Sequence, residues 1–372
     1  MTELERPALR VGFRRVVLES FRNIQSLAFE PAPRLNVITG DNGHGKTSLL
    51  EALYFVATTR SFRTERLATL VRQGSDAAWV RADVEEGGYA REQRAGIVRG
   101  ARRVTLDGKR PERLVDYAQR TPVVAFHPGD LELVSGGSSA RRRLLDRVAL
   151  FADPAGFDHR ARYDRAVKER QRVLLERGER AAELEAYEPL VAEHGARYQV
   201  ARQRAAAALL QALAPAFERL GPERLSLAAE YVPGGSEDPA TFLRELQARR
   251  LRDRVRRAPT YGPSRDEIEL AIAGRTARAH ASQGQQRILT LALKLAELEC
   301  IRASRGALPV LLLDDVSSEL DPGRTYAVYE LLRESASQIF VTTPRPELFP
   351  TPEDRAAERS DWSIAEGVLR AR

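Results

Sequence analysis

Gly40-Asp-Asn-Gly-His-Gly45-Lys46-Thr47 is the segment of this chain best suited to chemistry. Its glycines free the backbone to curl so that N–H groups point inward. A lysine and a hydroxyl follow at once. A loop of this pattern between a strand and a helix cradles phosphates: the helix N-terminus adds a favourable dipole, the lysine reaches the outer phosphate oxygens, and the hydroxyl ligates Mg²⁺. Both flanks fit, because the apolar run LNVIT precedes the loop, and Leu49, Leu50, Leu53 and Val56 recur after it at helical spacing. The candidate nucleotide contacts are Gly40, Asp41, Asn42, Gly43, His44, Gly45, Lys46, Thr47 and Ser48.

A second segment, Pro309-Val-Leu-Leu-Leu-Asp314-Asp315, reads as a buried parallel strand ending in two adjacent carboxylates. Asp314 is placed to hold Mg²⁺ and Asp315 to orient or deprotonate an attacking water, so Lys46, Asp314 and Asp315 form the candidate catalytic set. Between the two lies Ser282-Gln283-Gly284-Gln285-Gln286-Arg287, opening a helix (ILTLALKLAELECIR). A serine hydroxyl and a glycine N–H at a helix start make an anion cradle, although a plain helix cap fits the same residues. Its place after the phosphate loop and before the acidic strand makes it resemble the signature segment of the ABC class, a resemblance that implies contact with the nucleotide held by the opposite subunit.

The elements that must position these groups follow from periodicity. Residues 11–39 predict short strands with a turn at Arg22 and Asn23, and residues 77–107 alternate as antiparallel strands. A mostly helical stretch runs from about Ser138 to Leu220, with breaks expected near Gly178 and Gly195. A strand (LSLAAEYV), a loop (PGGSEDP) and a helix (TFLRELQARRLRDRVRR) follow it. The expected architecture is α/β: one lobe from residues 1–135 and 265–372, and a helical lobe from residues 136–264 inserted in it.

The 372 residues are 43% hydrophobic and 30% charged, enough for two such lobes. A single cysteine, Cys300, excludes an internal disulfide framework and reads as a small buried residue. No apolar run is long enough to span a membrane, and the start MTELERPALR lacks a signal-peptide core, so a soluble cytoplasmic protein is expected. The net charge of +7 favours a polyanionic partner. With 59 basic residues spread along the chain, charge alone does not place that partner. The densest clusters are Arg141, Arg142 and Arg143, and the run Arg249–Arg257 that includes Arg250 and Arg254. Neither is interleaved with aromatics, which predicts phosphate contacts rather than base stacking, against the alternative of solvated, acid-paired helix faces.

In order and spacing, FRNIQSL, LNVITGDNGHGKTSLLEALYF, RRRLLDRV, SQGQQR with LALKLAELE, and LLLDDVSSELD resemble the RecF family over nearly the whole chain. The resemblance implies an ABC/SMC-like ATPase head that dimerises on ATP with Mg²⁺, hydrolyses it slowly, binds single-stranded, double-stranded or gapped DNA, and acts with RecO and RecR to help RecA in replication, repair and the SOS response. It also implies that Ser282, Gln283, Gly284 and Gln285 act in trans, that Ser318 and Asp321 form the D-loop, and that Thr342 or Thr343 occupies the switch position. Asp130 in FHPGDLELV would sense Mg²⁺ and nucleotide. Gly129 stands where the family usually has Glu, and Ser264 where it usually has His.

Three rivals fit less well. An ABC importer subunit would carry an LSGGQ-like signature and a catalytic Glu after the acidic strand, where this chain has SQGQQ and Asp315. An ATPase-linked nuclease needs a further acidic domain, and only 29 residues follow Thr343. A small-molecule kinase would not need the signature helix.

Overall fold

The computed structural model describes residues 9–220, 225–315 and 322–372. Two compact units emerge: Met1–Asp130 with Ile301–Arg372, and Leu131–Cys300. In the first, β1 (Leu9–Phe21) and β2 (Ile24–Phe29) form a hairpin through the turn expected at Arg22 and Asn23, and β3 (Leu35–Thr39) leads to α1 (Lys46–Thr58). Strands β4 (Ala77–Glu86), β5 (Tyr89–Val98) and β6 (Ala101–Leu106) precede α2 (Leu114–Ala118) and β7 (Val123–Phe126).

In the second unit lie α3 (Glu132–Ser135), α4 (Ser138–Ala152), α5 (Pro154–Arg177), α6 (Leu184–Leu220), β8 (Leu227–Val232), α7 (Pro239–Ala248), α8 (Arg250–Arg256), β9 (Glu267–Ile272), β10 (Arg275–Thr276) and α9 (Ala277–His280). Helix α10 (Gln283–Arg305) leads back to the first unit, which ends with β11 (Ala307–Leu308), β12 (Val310–Asp314), α11 (Pro322–Ser335), β13 (Gln338–Thr342), β14 (Arg359–Ala365) and β15 (Val368–Ala371).

The first unit holds two sheets. One runs β11-β1-β4-β5-β6 with β2 beside β1; the other runs β15-β14-β3-β13-β12-β7. Ten consecutive residues of α1, Ser48–Ala57, are buried, as expected of a helix enclosed on all sides. Its side chains share one core with those of β1, β4, β5, β12 and β13. Parallel strands β3, β13 and β12 are buried along their whole length and in register, Ile38 opposite Thr342 and Thr342 opposite Asp314. That register brings the phosphate loop, Thr342 and Asp314 to the carboxyl ends of neighbouring strands, where open α/β sheets bind ligands.

The unit boundary differs from the expected one: residues 265–300, signature segment included, belong with the helical unit. Long-range pairing explains it. Strand β9 pairs with β8 in a three-stranded sheet, and the buried Arg202 of α6 bonds Asp146 of α4 at 3.0 Å and Asp266 at 2.9 Å. The helical stretch also breaks differently. Gly178 ends α5 at φ +90°, as expected, but Gly195 lies inside α6 because Phe242 and Tyr163 fill the space a side chain would need, an added Cβ falling 2.7 Å from Phe242. The actual second break is Asp153, whose carboxylate caps α5 through the Gly156 N–H. The helix expected after β8 is two, parted at Arg249.

Arg202→Ala should therefore leave two buried carboxylates without their shared cation and destabilise the helical unit by about 3–5 kcal/mol. A urea midpoint within error of the parent protein's would show that the triad contributes nothing net.

Candidate functional site

The loop between β3 and α1 closes on backbone conformations that only glycine adopts easily: φ is +146° at Gly40 and +116° at Gly45. Space is also short, since a Cβ at Gly40 would fall 2.3 Å from the Ile364 carbonyl oxygen. Gly40→Ala should weaken ATP binding at least tenfold without unfolding the protein, measured by fluorescent-nucleotide titration beside circular dichroism. Unchanged affinity would show that the observed loop shape is dispensable.

Gly45 is the N-cap of α1 and supplies no capping side chain, which leaves the first-turn N–H groups directed at the cleft. Lys46 Nζ donates to the carbonyls of Gly40 and Asp41 (3.0 Å for the latter) and, at 3.5 Å, to Asn42 Oδ1, so the ammonium is held over the loop's mouth. His44 takes part through its backbone carbonyl, which accepts from the Gly367 N–H at 2.9 Å.

Opposite the loop, Asp314 Oδ1 accepts from Thr47 Oγ1 at 3.0 Å and from Thr342 Oγ1 at 2.9 Å. Burial pushes the Asp314 carboxyl above the ordinary carboxylate range, against the hydrogen bonds from Thr342 and Thr47. A hydroxyl and a desolvated carboxylate touching across a phosphate loop are the hard oxygen donors that suit Mg²⁺. Asp315 follows at φ +52°, its N–H directed to the Thr342 carbonyl at 3.2 Å and hydroxyl at 3.0 Å. Thr343 is fully buried and bonded to β3 through its N–H, so of the two threonines it is Thr342 that meets the acidic strand's end. Asp130 is turned onto its own loop, accepting from the His127 N–H at 2.9 Å with His127 Nε2 3.4 Å away.

Around these groups lies a cleft of about 800 Å³ lined by Asp41–Gly43, Gly45–Ser48, Asp314 and Asp315, and also by Arg22, Asn23, Arg63, Arg72 and Gln73. The sequence did not single out the last group. Arg22 is held by a two-point ion pair to Glu51 (2.7 and 2.8 Å), and Arg63 lies 3.5 Å from the same carboxylate, which is fully buried on α1. A charged residue one turn after Ser48, in an otherwise apolar helix, was the available signal.

At the start of α10, Ser282 and Gln285 form a reciprocal capping box: the Gln285 N–H donates to Ser282 Oγ at 3.3 Å and the Ser282 N–H to Gln285 Oε1 at 2.9 Å. The helix-cap reading is therefore present as geometry. It leaves the anion reading open, because Ser282 Oγ accepts in this bond and keeps its own proton, and Ser282, Gln283 and Gly284 are exposed. Behind the cap the helix is anchored by the buried Glu297, paired with Arg147 and with Lys294 at 2.6 Å. The D-loop positions Ser318 and Asp321 lie outside the described residues.

Several of the arginines singled out for a polyanion have partners within the protein. Arg141 is 5% exposed and makes a two-point pair with Glu267 at 2.6 and 2.8 Å, which removes it from any surface. Arg142 donates to the Asp266 carbonyl, Arg143 lies 3.6 Å from Glu132, Arg250 pairs with Glu188 and Arg254 with Glu179.

The RecF/RecN/SMC N-terminal domain family model matches residues 13–357. A DNA replication and repair protein RecF of Anaeromyxobacter sp. (strain K) is 41% identical over 338 residues, covering 88% of this chain and 90% of its own. One from Geobacter sp. (strain M21) is 35% identical and covers 95% and 98%. Among solved structures, the recombination mediator protein RecF bound to ATP in the RecFOR pathway superposes with a TM-score of 0.85 at 26% identity, covering 98% of this chain and all of its own. An Smc head domain from Pyrococcus furiosus shares the fold, with a TM-score of 0.53 at 18% identity. With a phosphate loop, an acidic strand end and a capped signature helix on an ABC/SMC-like α/β head, this chain belongs to the RecF family.

Proposed function

We propose that the chain is a Mg²⁺-dependent ATPase switch in DNA repair, two copies of which close on ATP and DNA and part after slow hydrolysis. The observation that carries this reading is the make-up of the cleft. Lys46, Thr47, Asp314 and Asp315 surround it with side chains of the first unit alone, while the exposed Ser282 keeps an uncommitted hydroxyl proton. Lys46 and the α1 N–H groups would bind the β- and γ-phosphates, Thr47 and Asp314 would hold Mg²⁺, and Asp315 would orient the attacking water. Mg²⁺ would neutralise charge on the phosphates. Ser282, Gln283, Gly284 and Gln285 would bind the γ-phosphate held by the second copy, with Ser318 and Asp321 near that contact and Thr342 sensing hydrolysis.

Likeness to the RecFOR-pathway protein supports RecO and RecR as partners, and the proposal extends to RecA on gapped DNA and to a cytoplasmic role in replication and the SOS response. Light scattering without nucleotide, with ADP and with ATP plus Mg²⁺, each with and without gapped duplex, tests the switch. A dimer seen only with ATP, tightened by DNA, is the expected result; a monomer in every condition would overturn it.

A further inference from the structure

Many arginines of this protein are paired with acid, and others have no carboxylate beside them. Six such cations gather on the β5–β6 ribbon. Arg94, Arg99, Arg102, Arg103, Lys109 and Arg110 make no ion pair among the described residues, whereas Arg81 lies 3.8 Å from Glu92 and Arg91 2.7 Å from Glu86. Arg94, Arg99, Arg102 and Arg103 lie towards the β5–β6 turn, where Asp76 also sits, whereas Asp83, Glu85, Glu86 and Glu92 lie towards the Tyr89 turn, the end at which Asp107, Lys109 and Arg110 follow β6. Among the described residues, strand β6 is the sheet's edge and pairs with β5.

Register puts the key groups on one face. Trp79 of β4 lies opposite Gly96 of β5, itself opposite Arg103 of β6; in the next row Arg81, Arg94 and Thr105 align. These residues alternate with the buried Ala78, Val80, Ala82, Ala95 and Ile97, so they share the sheet's outer face. Gly96 is needed there because the Trp79 ring lies directly over it, a Cβ falling 2.3 Å from the ring. On Trp79 rests Arg94, its guanidinium carbon 4.1 Å from the ring centroid. The indole thus has the backbone of Gly96 and the Arg94 guanidinium against it. What it does is hold a guanidinium flat and in place, an orientation suited to two-point phosphate binding. Arg102, opposite the buried Ile97, belongs to the other face of the sheet and takes no part in this surface.

We propose that this ribbon is the surface that contacts the phosphates of DNA, with Arg94, Arg99 and Arg103 as its central cations. The inference rests on the DNA-binding reading above and adds where the backbone lies. Contacts of this kind carry no sequence information and release counterions, about 0.9 per phosphate neutralised in duplex DNA.

The test is a fluorescence-anisotropy titration of a gapped duplex over a salt series, using the full chain with ATP and Mg²⁺. An Arg94→Ala/Arg99→Ala/Arg103→Ala variant should lower the slope of log affinity against log salt by about 2–3 and affinity at least tenfold, with ATP binding and the unfolding midpoint unchanged. An Arg252→Ala/Arg256→Ala control on exposed positions of α8 should keep the parent slope. A parent slope in the ribbon variant overturns the ribbon alone; a parent protein that binds no DNA overturns the DNA reading with it. Displacement of the duplex by poly-glutamate at equal charge concentration would also overturn it, in favour of an acidic protein partner.

Discussion

Ser282→Arg should leave ATP binding by the single chain within about twofold of the parent and abolish the ATP-driven dimer, whereas Lys46→Met should lose both. The difference follows from where the two side chains sit. Lys46 is part of the cleft and is proposed to bind the outer phosphates, so its loss should weaken the site in its own chain. Ser282 is exposed at the start of α10, and a long side chain there would fill the space that the proposed trans site gives to a partner's γ-phosphate. Removing the hydroxyl also removes a cap worth about 0.5–2 kcal/mol, so Ser282→Ala is the control that separates fraying from obstruction. Mixing the two main variants sharpens the test. A heterodimer of Ser282→Arg with Lys46→Met keeps one intact composite site, so light scattering should detect ATP-dependent dimers in the mixture and none with either variant alone. A full dimer signal from Ser282→Arg alone would sink the trans site.

What the sequence could tell of this molecule was set by how local each determinant is. The phosphate loop and the acidic strand end were legible because the chemistry sits within eight consecutive residues or fewer, and the strands flanking them are continuous apolar runs. Thr342 was legible only as one of two candidates, since the choice depends on the register of β13 against β12. Arginine partners were not legible at all. Arg141 and Arg94 look alike in sequence, yet a carboxylate 126 residues away neutralises the first, while a tryptophan on the neighbouring strand holds the second with no acid beside it. The unit boundary failed for the same reason: Arg202 reaches Asp266 across 64 residues and ties the segment before the signature to the helical unit. Gly195 misled because a glycine inside a helix reads as a break, when here it admits the Phe242 ring.

Asp315→Asn should bind ATP normally, form the dimer and then fail to release it, with single-turnover hydrolysis slowed by about 10²–10⁴-fold, the range for loss of a positioned general base. The substitution isolates charge from backbone. Asp315 is held at φ +52° by its N–H bonds to Thr342, and Asn tolerates the left-handed region as well as Asp does, so the strand end should keep its shape. Asp315→Ala lacks that tolerance and would mix strain with lost chemistry, which makes Asn the cleaner probe. If hydrolysis gates release, the lifetime of the Asp315→Asn dimer after dilution should lengthen by the same factor as turnover slows. Labelled-ATP quench and light-scattering decay on one sample compare the two. Turnover at the parent rate would remove Asp315 from the reaction, and slowed turnover with parent-like release would uncouple the dimer from hydrolysis, the clamp then opening with its ATP uncleaved.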